Sequence, residues 1–134
     1  MKEVEKDIKV HSIRVANIWM REDGILQEDF LDNAEVQVED VKELMKVVNE
    51  YFPQKNLAYV DMSNIKFVSY EARKFLKTKE AALNAKAVAF KLQSKVSRII
   101  GNFIIRVTNP EDYPTKLFNN EEEAIKWLKQ FNNG

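Results

Sequence analysis

From residue 38 onward, segments with the periodicity of amphipathic helices alternate with short apolar segments that suit buried strands. In the first helical segment, the apolar residues recur at i, i+3, i+4, i+7 and i+11, which forms one stripe on a helix. They are Val41, Leu44, Met45, Val48 and Phe52. Alternation of this kind predicts right-handed strand–helix–strand crossovers and a largely parallel sheet.

Three more helices are predicted from capping residues and apolar stripes. Ser69 can cap helix 2, Ser94 can cap helix 3, and Asn120 with Glu123 matches a capping box for helix 4. The predicted inner face of helix 2 is Ala72, Phe75, Leu76 and Leu83. The predicted stripe of helix 3 is Val96, Ile99, Ile100, Phe103, Ile104 and Val107. Because helix 3 is apolar beyond one narrow stripe, it can be a core helix, line a cavity or form a dimer contact.

Strands are predicted between and before these helices. Residues 56–62 (NLAYVDM) suit a buried central strand, residues 86–92 the next strand, and residues 116–118 a short one. In the first third, Ile8, Val10 and Ser12 alternate with charged or polar residues, and residues 13–20 and 25–31 suit strands joined by a turn at Asp23-Gly24. A meander of two or three antiparallel strands is therefore predicted. The prediction is one α/β domain over residues 1–134, with a mixed sheet, an N-terminal antiparallel hairpin and four helices.

Composition excludes several classes of site. The chain has no Cys and one His, so a disulfide framework, a cysteine nucleophile and a multi-histidine metal centre are excluded. None of the common phosphate-binding, dinucleotide-binding, hydrolase or zinc-protease motifs occurs. We therefore expect no cofactor, no metal and no enzymatic activity. The charged N-terminus and the short apolar runs predict a cytoplasmic protein without a membrane span.

Charge is unevenly distributed along the chain. The 21 basic and 21 acidic side chains give a net charge of zero, which argues against a general nucleic-acid binder. Residues 1–62 nevertheless carry a net charge of −6 and residues 63–134 carry +6. Residues 63–106 alone reach +8. This segment predicts either a basic surface for an acidic partner or another subunit, or helix faces that are only solvated.

Topology predicts where a site would lie. Ligands of open α/β sheets collect beyond the carboxyl ends of the parallel strands, where helices also begin. The alternative is that the polar residues there only cap helices and hold turns. The predicted ligand or partner surface comprises Asp61, Ser63, Ser69, Tyr70, Glu71, Arg73, Lys74, Lys77, Ser94 and Arg98.

Residues 58–76 (AYVDMSNIKFVSYEARKFL) resemble the central strand, loop and helix of STAS domains, the domains of anti-sigma-factor antagonists such as SpoIIAA. The chain as a whole is similar to the small bacterial STAS-like proteins that are grouped with CRAL-TRIO lipid-transfer domains. The shared motifs are Trp19 followed by residues 23–26 (DGIL), residues 61–63 (DMS), residues 72–73 (AR) and the segment 118–128. The resemblance implies a STAS/SpoIIAA-like fold.

The same resemblance implies a function, with one departure. Aligning residues 67–68 with the family's Phe-Ile places Tyr70 where the phosphoswitch antagonists have their acceptor serine, so that serine is not retained. The implied function is a non-catalytic regulatory or protein-interaction module, with a protein partner or a second copy bound at helix 2 and the preceding loop. The alternative is a carrier of a small apolar or lipid-like ligand, held in a cavity between helix 3 and the sheet.

Overall fold

Six strands form one mixed sheet in the order β1-β2-β3-β5-β7-β8. The structure, a computed structural model, describes residues 8–81 and 85–132. The strands of this sheet are β1 (His11–Ser12), β2 (Ala16–Met20), β3 (Ile25–Phe30), β5 (Asn56–Asp61), β7 (Ala85–Lys91) and β8 (Thr115–Phe118). Strands β1, β2 and β3 are antiparallel, whereas β3, β5, β7 and β8 are parallel neighbours. The predicted α/β class, mixed sheet and N-terminal hairpin are confirmed.

Two local features of the strands differ from the prediction. Residues 13–20 are not one strand, because the amide of Ile13 donates to the carbonyl of Ala16 at 2.9 Å and turns the chain between β1 and β2. Two short parallel strands, β4 (Glu35–Val36) and β6 (Phe67–Val68), form a separate pair that the sequence did not predict. The turn at Gly24 is confirmed, with φ of +82°, a value that glycine adopts readily.

Within residues 8–81 and 85–132, four helices follow the predicted order: α1 (Val38–Tyr51), α2 (Tyr70–Leu76), α3 (Lys95–Val107) and α4 (Glu121–Lys129). All three predicted caps form, since Ser69, Ser94 and Asn120 accept from backbone amides at 3.0–3.1 Å. Helix α2 is shorter than predicted and is followed by a 3-10 turn at Lys79–Ala81. The predicted inner residue Leu83 lies outside the described residues.

The start of α1 is held by Asp40. Its carboxylate accepts from the amide of Gln37 at 2.8 Å and from the guanidinium of Arg14. Burial opposes ionisation of Asp40, but these hydrogen bonds outweigh it and hold its pKa below the usual value. The acidic first turn of α1 thus fixes the helix to the segment before β2.

The predicted stripe of α3 is only partly buried. Ser97, Ile100 and Gly101 face the sheet, whereas Ile99 is 62% exposed and Val96 is 38% exposed. A Cβ at position 101 would come within 2.7 Å of Leu92 Cδ1, so the absence of a side chain lets α3 approach the sheet closely. Helix α3 therefore lies with the side that carries Gly101 against the sheet, and part of its apolar surface, including Ile99, faces solvent.

Helices cover both faces of the sheet. Helices α1, α2 and α3 pack on the face that carries Val60, Val88 and Phe90. Helix α4 packs on the opposite face, which carries Leu57, Tyr59 and the small residues of β7. Within the described ranges, every helix is too short or too polar to cross a bilayer.

Candidate functional site

A cavity of about 120 Å³ lies between the sheet and the three helices that cover its first face. Its floor comes from β3, β5 and β7, through Phe30, Val60 and Phe90. Its walls come from α1, α2, α3 and the segments beside them. The other lining residues are Glu28, Val36, Val41, Leu44, Met45, Met62, Ile65, Val68, Leu76, Ala81, Ile100, Ile104, Val107, Thr108 and Tyr113.

The cavity is large enough for a small organic group. Engineered apolar cavities of about 150 Å³ bind benzene or xenon and stay dry when empty. A volume of about 120 Å³ therefore suits one ring or a short alkyl chain. The lining that the structure describes is apolar except for Glu28, Thr108 and Tyr113.

Glu28 is the one carboxylic acid among the described lining residues, and it is 3% exposed. Its neighbours in the sheet are Ile18 on β2 and Val60 on β5. No group in the described part of the chain donates a hydrogen bond to its carboxyl. Burial alone raises its pKa to about 7 from the ordinary 4.5, because an apolar site disfavours the charged form.

The sequence prediction missed Glu28, although a signal was present. Leu26, Glu28 and Phe30 alternate along β3, so they share one face of the sheet. An acidic residue between two apolar residues of the inward face identifies an unusual buried carboxyl. The signal can be used only if it is known which face of β3 is inward. Because helices cover both faces of this sheet, the sequence pattern alone does not give that face.

A second polar group lies at the carboxyl end of β5, where the sequence predicted a site. Asp61 accepts hydrogen bonds from the amide of Ser63 at 3.0 Å and from the Ser63 hydroxyl. Lys91 reaches Ser63 Oγ at 3.1 Å and lies 3.9 Å from Asp61. Asp29 is the partner of Asp61 in the register of β3 and β5, and its pKa is raised chiefly by burial. The predicted pair Asp61 and Ser63 is therefore joined by Lys91, which the prediction did not include.

The predicted serines at the helix starts act as caps. Ser69 Oγ accepts from the amide of Ala72, and Ser94 Oγ accepts from the amide of Ser97. The amide of Ser94 also donates to the carbonyl of Ser63 at 2.9 Å, which brings the start of α3 beside the end of β5. These contacts give the two serines local structural roles.

The other predicted residues lie on two different surfaces. Helix α2 exposes Tyr70, which is 63% exposed, together with Glu71, Arg73 and Lys74. Lys77, the C-cap of this helix, is exposed next to them. Lys74 Nζ lies 5.8 Å from the centre of the Tyr70 ring. Arg98 instead lines a groove with Phe118 and Glu123 beside β8 and α4. The structure thus does not bring the ten predicted residues into one site.

The described lining of the cavity offers apolar contacts and one buried carboxyl group. Reading only the described residues, no three His, Cys, Asp or Glu side chains come together as metal ligands. The described lining gives Glu28 no second carboxyl group and no imidazole with which it could share a proton. Noncovalent recognition of a small molecule is the chemistry that this geometry favours.

The fold and the family follow from comparison with known proteins. One solved structure, an uncharacterized protein of the DUF3478 family with a SpoIIAA-like fold from Shewanella loihica PV-4, is 14% identical to this chain. It superposes with a TM-score of 0.58 over 90% of this chain and 91% of its own. No curated protein matches the sequence. Residues 18–132 match the family described as Domain of unknown function (DUF7793), and the chain therefore belongs to that family.

Proposed function

We propose that this protein is a non-catalytic binding module that holds a small apolar ligand in the cavity between α1, α3 and the sheet. The observation that carries the proposal is the cavity of about 120 Å³ with its almost wholly apolar lining. It refines the carrier that the resemblance implied, since the volume suits a ring or short chain rather than a long lipid. The SpoIIAA-like fold is consistent with many functions and supports the architecture alone.

The energetic argument is that an empty cavity in a core is costly. Side chains that border a cavity lack partner atoms on that side and so lose van der Waals contacts. A ligand that fills it restores the lost contacts. Met45, Leu76 and Val107 line the cavity and are only partly buried, so this wall offers a route from solvent.

The test compares two adjacent residues of α3. Ile104 lines the cavity, whereas Ile105 does not line it and is 38% exposed. Toluene is expected to raise the Tm of the wild type and of Ile105→Trp, but not of Ile104→Trp, whose indole occupies the cavity. Equal responses of the two variants, or no response of the wild type, would contradict the proposal.

A second readout does not depend on the folding of Ile104→Trp. In methyl NMR spectra of the wild type, toluene is expected to shift the resonances of Val41, Leu44 and Ile104. The methyl groups of the exposed Ile99 serve as the internal control. Shifts confined to Ile99 would indicate surface association and would count against the cavity.

We also propose, as a second candidate function, that α2 binds a protein partner or a second copy through acidic groups. The supporting observation is Tyr70, a large aromatic side chain that is 63% exposed beside the basic residues of α2. Over the part of the chain that the structure describes, Arg73 and Lys77 have no ion pair. In contrast, Lys66 and Lys91 of the same basic segment are paired with Glu35 and Asp61.

Charge reversal tests this second function. The triple variant Arg73→Glu, Lys74→Glu and Lys77→Glu is expected to lose partner binding. If the wild type self-associates in sedimentation velocity experiments, the triple variant is expected to lose that self-association as well. The control is Lys126→Glu on α4, another exposed basic residue of a helix on the opposite face. Equal binding by the wild type and the triple variant would remove α2 from the interaction surface.

A further inference from the structure

We infer that the ligand of the cavity is a compact apolar amine, whose protonated nitrogen pairs with the carboxylate of Glu28. This inference rests on the proposed function and specifies the class of ligand. The geometry that carries it is a carboxyl side chain that is 97% buried, lines an apolar cavity and receives no hydrogen bond from the described residues.

Among the residues that the structure describes, none places a counter-charge beside Glu28. Its cross-strand neighbours are Ile18 and Val60. Helices α1 and α2 and strands β5 and β7 contribute only apolar side chains to the described lining. The segment that follows α3 contributes Thr108, whose hydroxyl donates to the carbonyl of Ile104. It also contributes Tyr113, the second titratable residue in the described lining.

A carboxyl in such a place selects its ligand by charge. An unpaired carboxylate is expensive to bury, and apolar surroundings therefore favour its neutral form. A bound ammonium supplies the missing positive charge and the N–H donors, which forms a charge-assisted hydrogen bond. A ligand carboxylate would instead add a second negative charge, and a hydrocarbon would leave the carboxyl without a partner.

Size limits the remainder of the ligand. The cavity volume of about 120 Å³ leaves room for one aromatic ring or a chain of similar size beside the amine. Benzylamine has this composition. Benzyl alcohol, toluene and benzoate keep the ring and change only the polar group, so they separate the contribution of charge from that of the apolar surface.

The experiment measures the affinity of these four probes for the wild type and for Glu28→Gln by methyl NMR titration. At pH 8, the wild type is expected to bind benzylamine about tenfold more tightly than benzyl alcohol, and benzoate most weakly. Glu28→Gln is expected to lose this preference while it still binds toluene. Glu22→Gln removes an exposed carboxylate from the β2–β3 turn and is expected to behave as the wild type does.

The pH dependence adds an independent readout. Because benzylamine pairs with the ionised carboxylate, its affinity for the wild type is expected to rise from pH 5.5 to pH 8 and to stay constant over that range in Glu28→Gln. The pKa of about 7 places the rise within this window. A protein that binds toluene but has equal affinities for benzylamine and benzyl alcohol would overturn this inference alone. Absence of cavity shifts with every probe would overturn the proposed function, and this inference with it.

Discussion

The two faces of the sheet differ in how their helices meet the strands. On the α4 face, Ala87 and Ala89 of β7 are fully buried, and their small side chains let Ala124 and Leu128 pack closely on the sheet. On the other face, three helices share the surface, and the cavity lies between them. The same strands thus support a filled core on one face and a void on the other.

Each face also buries at least one polar group that lacks a partner among the described residues, and Thr115 Oγ1 is a further such atom. On the α4 face, one such group is the hydroxyl of Tyr59, which is neutral at physiological pH, and burial raises its pKa further. On the cavity face it is the carboxyl of Glu28, whose charge changes near neutral pH. The comparison shows that Tyr59 lies in a packed cluster beside α4, whereas Glu28 borders a cavity that has room for a small molecule.

The largest expected effect tests the packing difference with one substitution at two positions. Leu128→Ala on the α4 face is expected to reduce the free energy of unfolding by about 2–5 kcal/mol, because Leu128 is fully buried. Leu44→Ala is expected to cost less than about 2 kcal/mol, since Leu44 is partly exposed and already borders the cavity. Urea unfolding of both variants measures the difference, and equal losses would show that the two faces are packed alike.

A somewhat smaller effect is expected from the charge of Glu28. The pKa of Glu28 is about 7 in the folded protein, whereas the unfolded chain has the ordinary value of 4.5. Between pH 4.5 and pH 7, the folded protein therefore keeps a proton that the unfolded chain has released. The free energy of unfolding is therefore expected to fall by about 3 kcal/mol, relative to Glu28→Gln, as the pH rises from 4.5 to 7. Above that range the difference is expected to stay constant.

Urea unfolding of the ligand-free proteins at several pH values checks this prediction. Glu28→Gln is the matched reference because it keeps the shape of the side chain and cannot ionise. A difference between the two proteins that does not change with pH would show that the carboxyl of Glu28 is solvated or paired in the folded state.

The smallest effect is expected at Tyr59. Tyr59→Phe removes a buried hydroxyl that has no hydrogen-bond partner in the described structure, so no bond is lost. The variant is expected to be as stable as the wild type, or more stable by up to about 1 kcal/mol. A loss of more than about 2 kcal/mol on thermal or urea unfolding would show that the hydroxyl is satisfied and would remove the parallel with Glu28.

Features that depend on neighbours in the sequence could be predicted. Ser69, Ser94 and Asn120 each cap the helix that follows, because their side chains reach amides only three residues away. The turn at Gly24 likewise needs only a residue that tolerates positive φ. These local signals, together with the alternation of helices and strands, were sufficient for the fold class.

Features that depend on packing between elements could not be predicted in the same way. The apolar stripe of α3 predicted that Ile99 is inward, but the close contact at Gly101 sets the rotation of the helix and leaves Ile99 exposed. The proposed partner surface grouped Arg98 with the residues of α2, whereas the structure places it in a groove beside Phe118. The spacing of apolar residues along the chain defines one face of a helix, but it does not predict which other elements pack against that face.

The sequence by itself determined the order of the four helices and of the central strands, the helix caps and the parallel arrangement of those strands, because short-range hydrogen bonding and apolar periodicity specify them. Only the tertiary structure decided that one face of the sheet is filled and the other contains a cavity with Glu28 in its lining. The reason is that a void and a missing counter-charge are properties of several elements together, and no single segment of the chain encodes them.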